Sequence, residues 1–252
     1  MSHPVQPRPR RRLQRAAAAL CLALVAPLPL PAGVDQADTI VFDITLKGLR
    51  AGRLSINGAI SGKGYEASGT LQSAGLLSMM RKIRYDAAVA GSVSGQRFTP
   101  AGYTEKADTP NRQSESVMEY RAGVPQVKVY SPPRPPREAE VNPATQGGTV
   151  DPLTALYAVL RDVTPDEACQ FASYMFDGKR RSQVVLTAPE KNGAGVVCLG
   201  EYRRLEGFSD REMADKERFP FRLIYEPTAA GKLRVTTITT ETLYGTGYLR
   251  RR

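Results

Sequence analysis

Nucleophilic, acid–base and metal chemistry falls mostly to His, Cys, Asp and Glu, and this chain is poor in the first two. Its 252 residues include one His and three Cys. His3 and Cys21 lie in the first 32 residues, which read as a removable N-terminal segment. The remainder then has no His, so it cannot build a Ser-His-Asp triad, a Cys-His dyad or a His-ligated zinc site. It keeps Cys169 and Cys198, an even pair. In an oxidising compartment such a pair reads as a disulfide closing a loop of about 30 residues, worth roughly 3.5 kcal/mol in the chain-entropy description. Two buried thiols or a redox pair are the alternatives, although redox pairs usually sit as Cys-x-x-Cys. There is no Gly-x-x-x-x-Gly-Lys phosphate loop and no dinucleotide fingerprint. Neighbouring carboxylates remain: Glu138/Glu140, Asp210/Glu212 and Asp215/Glu217. Two carboxylates suffice for glycoside hydrolysis, but these lie in polar loops, and the absence of Trp removes the commonest sugar platform. The expectation is no enzyme, no catalytic residue, no metal and no cofactor.

The first 32 residues explain part of this scarcity. Arg8, Arg10, Arg11, Arg12 and Arg15 precede an apolar run from Ala16 to Ala26, and Pro27 to Gly33 follows. A basic region, a short apolar region and a small-residue exit make a secretory signal peptide, with cleavage expected near residues 32–37. Eleven residues span about 16 Å as a helix, half of a bilayer core of ~30 Å, so the chain is not expected to span a membrane. Losing five Arg takes the net charge from +10 to +5, with 30 basic against 25 acidic residues. Nucleic acid is therefore not an expected partner, and the expected location is the periplasm.

Residues 38–250 read as one β-rich domain. Apolar residues alternate in Val41–Leu46, and turns at Gly48–Gly52 and Gly62–Gly64 space the strands as a meander. Further strands are expected to Tyr130, then over Cys169–Phe176 and Arg180–Ala188 around the Asp177-Gly178 turn, and onward through Arg250. Residues 131–149 form a Pro-rich connector, with Pro132, Pro133, Pro135 and Pro136 extended and outside any sheet interior. One helix follows, capped by Thr149 or Asp151, with Pro152 in its first turn and Leu153, Leu156, Tyr157 and Leu160 on one stripe. The expected architecture is mainly all-β: a curved or open antiparallel β-barrel of eleven or twelve strands, wrapped on that helix, with the stripe in the concave face. Two features suit binding. Met79, Met80 and Arg81 set adaptable apolar groups beside a cation, and Lys179, Arg180 and Arg181 form a basic cluster after a turn. The terminal Arg250-Arg251-Arg252 reads as a frayed tail.

Several segments carry a resemblance. They are Phe42 to Leu54 with Gly48-Leu49-Arg50-Ala51-Gly52, Asp151-Pro152-Leu153-Thr154-Ala155-Leu156, Phe176-Asp177-Gly178-Lys179-Arg180-Arg181, Cys198 to Phe208, and Phe219-Pro220-Phe221. Together they resemble the bacterial exported domain-of-unknown-function family 3108, across about residues 38–250. The resemblance implies a periplasmic protein and the curved β fold, and it brings no activity. The expected role is non-catalytic, in the cell envelope, with a lipid or other hydrophobic ligand held in the curved sheet. The alternatives are an interaction or scaffolding module for an envelope protein, and a carboxylate-only glycan hydrolase.

Overall fold

Among the described residues, thirteen strands stand where eleven or twelve are expected, and the one expected over Cys169–Phe176 begins only at Ala172. The computed structural model describes residues 34–75, 78, 82–133, 135 and 139–252, with Met1 and His3. The expected signal peptide lies outside the described residues. So do Met79, Met80, Arg81 and Glu138.

Thirteen strands occur among the described residues, joined in one antiparallel sheet in the order β7-β6-β5-β4-β3-β2-β1-β13-β12-β11-β10-β9-β8. They are β1 (Gln36–Leu46), β2 (Leu49–Ser61), β3 (Gly64–Ser73), β4 (Arg84–Ser94), β5 (Arg97–Thr109), β6 (Arg112–Arg121), β7 (Val124–Ser131), β8 (Ala172–Phe176), β9 (Arg181–Asn192), β10 (Gly195–Glu206), β11 (Arg218–Pro227), β12 (Leu233–Thr242) and β13 (Gly245–Arg251). Two meanders, β1–β7 and β8–β13, meet at one seam, where β1 and β13 pair from Phe42 opposite Arg251 to Leu46 opposite Gly247. The sheet is open, because β7 and β8 are its two edges. It nevertheless curls far enough that the β8–β9 turn reaches the other edge. A Cβ on Gly178 would lie 3.6 Å from Met118 Sδ and 3.8 Å from Val127.

Inside the curl lies α1 (Pro152–Leu160), nine residues long. Asp151 caps it, accepting from Thr154 N at 2.8 Å, and Pro152 fills the first position, where no amide donor is needed. Arg161 turns to an extended conformation and ends it. The expectation of a single apolar stripe is incomplete. Leu153, Tyr157 and Leu160 are buried as expected, but so are Thr154, Ala155, Ala158 and Val159, because a helix inside a curled sheet is covered from several sides. Leu156 is the correction: it is 40% exposed. The helix sits off-centre, packing on β3, β4, β5 and β8. Missing side chains permit that approach. A Cβ on Gly58 would overlap the Tyr157 ring, and one on Gly69 would stand 2.9 Å from Leu153 Cδ1. Leu156 faces the opposite side, where no strand comes as close.

Polar contacts pin both ends of the helix. Tyr65 Oη meets Thr154 Oγ1 at 2.7 Å, and Thr154 Oγ1 donates to Asp151 at 2.5 Å. At the other end Tyr157 Oη donates to buried Asp38 at 2.9 Å. Tyr225 Oη donates to the Val159 carbonyl at 3.0 Å, from the far arm of the sheet. After α1, the Cys169–Cys198 disulfide ties the returning chain to β10.

Two further expectations are corrected. The terminal arginines are no frayed tail: Arg250 and Arg251 belong to β13, and Arg251 reaches the Leu160 carbonyl and Asp162. Strand pairing with β1 explains this, since β13 has a partner on each side. The polar stretch 209–218 contains α2 (Asp210–Asp215), nucleated by a capping box between Ser209 and Glu212.

The close approach at Gly58 gives a test. Gly58→Ala forces the Tyr157 ring to move, and overpacking costs about 1–3 kcal/mol. A chain of this size should lose at least about 2 °C in melting temperature. Gly102→Ala is the control, because a Cβ there meets nothing closer than 3.9 Å. Equal melting of the two variants contradicts the packing described.

Candidate functional site

The inner face of the sheet is longer than the helix that fills it. At ~1.5 Å per residue α1 spans about 13.5 Å. Strands β2, β10, β11 and β12 run 10–13 residues, or roughly 33–43 Å at ~3.3 Å per residue. Alternation turns Leu54, Tyr202, Phe221, Ile238, Thr240 and Leu249 inward along this uncovered stretch. With Leu156 and Val159 of α1 opposite, they enclose a cleft of about 300 Å³ beside the helix. Fourteen described residues line it; none is charged, and Tyr202 and Thr240 bring the only side-chain hydroxyls. That volume lies at the small end of ligand pockets, which span roughly 300–1,000 Å³.

The lining is apolar apart from those two hydroxyls, which suits apolar matter. Sequence reasoning found Leu156 and Leu160 of this cleft and missed the wall from β10–β13. The period-two pattern of Phe219-Pro220-Phe221-Arg222-Leu223 carried the signal, and knowing where the helix stops short was the missing piece.

The basic cluster is divided among three partners. Lys179 Nζ donates to Tyr130 Oη at 2.7 Å, above the same ring. Arg180 pairs with Glu212 at 2.8 Å and stacks on Phe208. Arg181 donates to Gln146 Oε1 at 3.0 Å and lies over Tyr174. These contacts fasten the β8–β9 turn to β7, to α2 and to the connector. A second, polar cleft of about 680 Å³ lies among these groups, with Tyr85, Arg112 and Tyr130 on its other wall. The suggested carboxylate pair Asp210/Glu212 is also engaged, Glu212 by Arg180 and by the Ser209 cap. Among the described residues no group of three or more His, Cys, Asp or Glu could hold a metal, and no helix is long and apolar enough to cross a membrane.

Asp151 is a strongly perturbed carboxyl of the interior. It is fully buried, and burial pushes its pKa up to about 6 against the hydrogen bonds from Thr154. Burial likewise raises Asp177, whose carboxylate accepts the backbone amides of Lys179 and Arg180 at 2.9 and 2.8 Å. Asp151 caps the helix from full burial, whereas Asp177 is half-buried in its turn with Arg180 and Lys179 close enough to favour its charge.

Residues 41–191 match a family described as protein of unknown function (DUF3108). No curated protein matches the sequence. A crystal structure titled as a beta-barrel-like protein of domain of unknown function DUF1849, from Brucella abortus, superposes with a TM-score of 0.50. It is 14% identical, and the alignment covers 86% of this chain and 95% of that one. At that identity the likeness concerns the fold alone.

The Asp151 environment has a pH consequence. Its folded pKa lies above the unfolded value of 3.8. Its contribution to stability is therefore greatest below pH 4 and is lost as pH rises to about 6, by roughly 3 kcal/mol at ~1.4 kcal/mol per unit. Asp151→Asn keeps a capping oxygen and removes the titration. Urea unfolding from pH 4 to 7 should show the variant gaining on wild type across that range. A constant difference contradicts the assignment.

Proposed function

The chain belongs to the DUF3108 family, and from that membership and the cleft beside α1 we propose an exported, non-catalytic protein of the cell envelope that binds one apolar chain or a similarly small hydrophobic ligand. The observation that carries the reading is the uncharged cleft of about 300 Å³ between α1 and β10–β13. At a liquid-like ~30 Å³ per water-sized group, it holds about ten heavy atoms. That suits one acyl segment and not a two-chain lipid. Burying about ten methylenes at ~0.8 kcal/mol each sets micromolar as the tightest dissociation constant expected, before the cost of association. Export is supported by the arginine-rich start and apolar run of residues 8–26 and by the Cys169–Cys198 disulfide, a bond of oxidising compartments.

Titration with a fluorescent fatty acid tests the reading. Wild type should saturate at one equivalent, with a dissociation constant no tighter than about micromolar. Leu156→Arg places a cation in the cleft wall at an exposed position; it should leave melting unchanged and weaken binding at least tenfold. Equal binding by the variant, or none by wild type, refutes the site.

A further inference from the structure

The end of the sheet carrying the β1–β2 and β12–β13 turns combines exposed apolar side chains with an excess of cations. Leu49 is 63% exposed, Tyr244 70%, Leu243 46% and Tyr248 42%. Large apolar residues exposed singly are ordinary; these four share one end. The turns touch: Lys47 N donates to Thr246 O at 3.5 Å, and Thr45 stands opposite Tyr248 in the seam. Around them cations predominate. Asp43 faces three guanidiniums, Arg252 at 2.6 Å, Arg53 at 3.3 Å and Arg50 at 3.6 Å. Arg250, in register with Asp43, adds a fourth, and Lys47 is exposed at the turn. Asp43, Tyr248, Arg250 and Arg252 line a shallow outer groove of about 430 Å³. Glu241 is a further acid here, and its carboxylate accepts from Thr246. Lys216, which caps the end of α2 between Asp215 and Glu217, donates to the Glu241 carbonyl at 3.0 Å, so this end also carries charges of both signs from α2.

We propose that this end docks on an anionic lipid bilayer, with Leu49, Leu243 and Tyr244 entering the interface and the arginine groove facing lipid phosphates. Charge complementarity selects the occupant: the four guanidiniums and Lys47 gathered around the single carboxylate of Asp43 suit a negative surface, and a tyrosine among aliphatic tips suits the headgroup boundary. The strands that carry the tips also line the apolar cleft, at Leu54, Thr240 and Leu249. The docking stands on the surface alone and holds whether or not the cleft takes a ligand.

The chain has no Trp, so Tyr244→Trp supplies a single reporter. The full-length protein is mixed with vesicles of equal phosphatidylglycerol and phosphatidylcholine, and with vesicles of phosphatidylcholine alone. The indole emission should shift to the blue and resist aqueous quencher on the anionic vesicles only, and added salt should reverse this. Arg50→Glu with Arg250→Glu, on the same reporter, should weaken the response at least tenfold with unchanged melting. If that pair melts early, Leu49→Ser, at an exposed turn, should produce the same loss. No shift on anionic vesicles, an equal shift on neutral ones, vesicle pelleting with an unshifted indole, or undiminished responses from the variants overturns the proposal.

Discussion

A curled sheet has an inner face that must be covered, and here a nine-residue helix does the covering. That mismatch governs the rest of the structure. The helix spans about a third of the length of the strands around it, so it can complete the core at one level only. Where it sits decides which apolar residues become core and which become the walls of a cleft. Its position is over-determined: Asp151, Thr154 and Tyr65 hold its start, Asp38 holds Tyr157, and Tyr225 holds Val159 from the opposite arm. Gly58 and Gly69 pull it towards β2 and β3, and the vacant side opens against β10–β13.

The crossover that delivers the helix is stabilised separately. A buried ion pair between Arg161 and Glu167 shapes the chain after α1, and the disulfide then binds that chain to β10. The Lys179, Arg180 and Arg181 contacts close the other side by fastening the β8–β9 turn. An open sheet without these ties would leave its two edges to spread. The basic residues expected to contact a ligand thus also fasten the curl, and Lys179 and Arg180 line the polar cleft beside it.

The strands were legible in the sequence because alternation, glycine turns and β-branched runs are local signals. The Asp151-Pro152 start of the helix was legible for the same reason. Less was legible where tertiary packing decides. Leu156 shares a helical stripe with Leu153 and Leu160, yet is exposed because of where the helix sits. Arg251 reads as part of a tail because its partner, Phe42 of β1, lies some 200 residues earlier. The cleft itself belongs to no motif: it is the difference between two lengths, and its wall comes from strands far apart in the chain.

Structure and proposed role connect through that difference, which leaves an apolar space beside the helix. The direct measurement is a methyl-labelled NMR titration of the protein with a single-chain fatty acid. Saturable shifts confined to methyls that line the cleft, those of Leu54, Leu156, Ile238 and Leu249 among them, with Val89 and Val93 of β4 unmoved, are the predicted result. Shifts scattered over the surface, or none at these four residues, would contradict a binding cleft beside the helix.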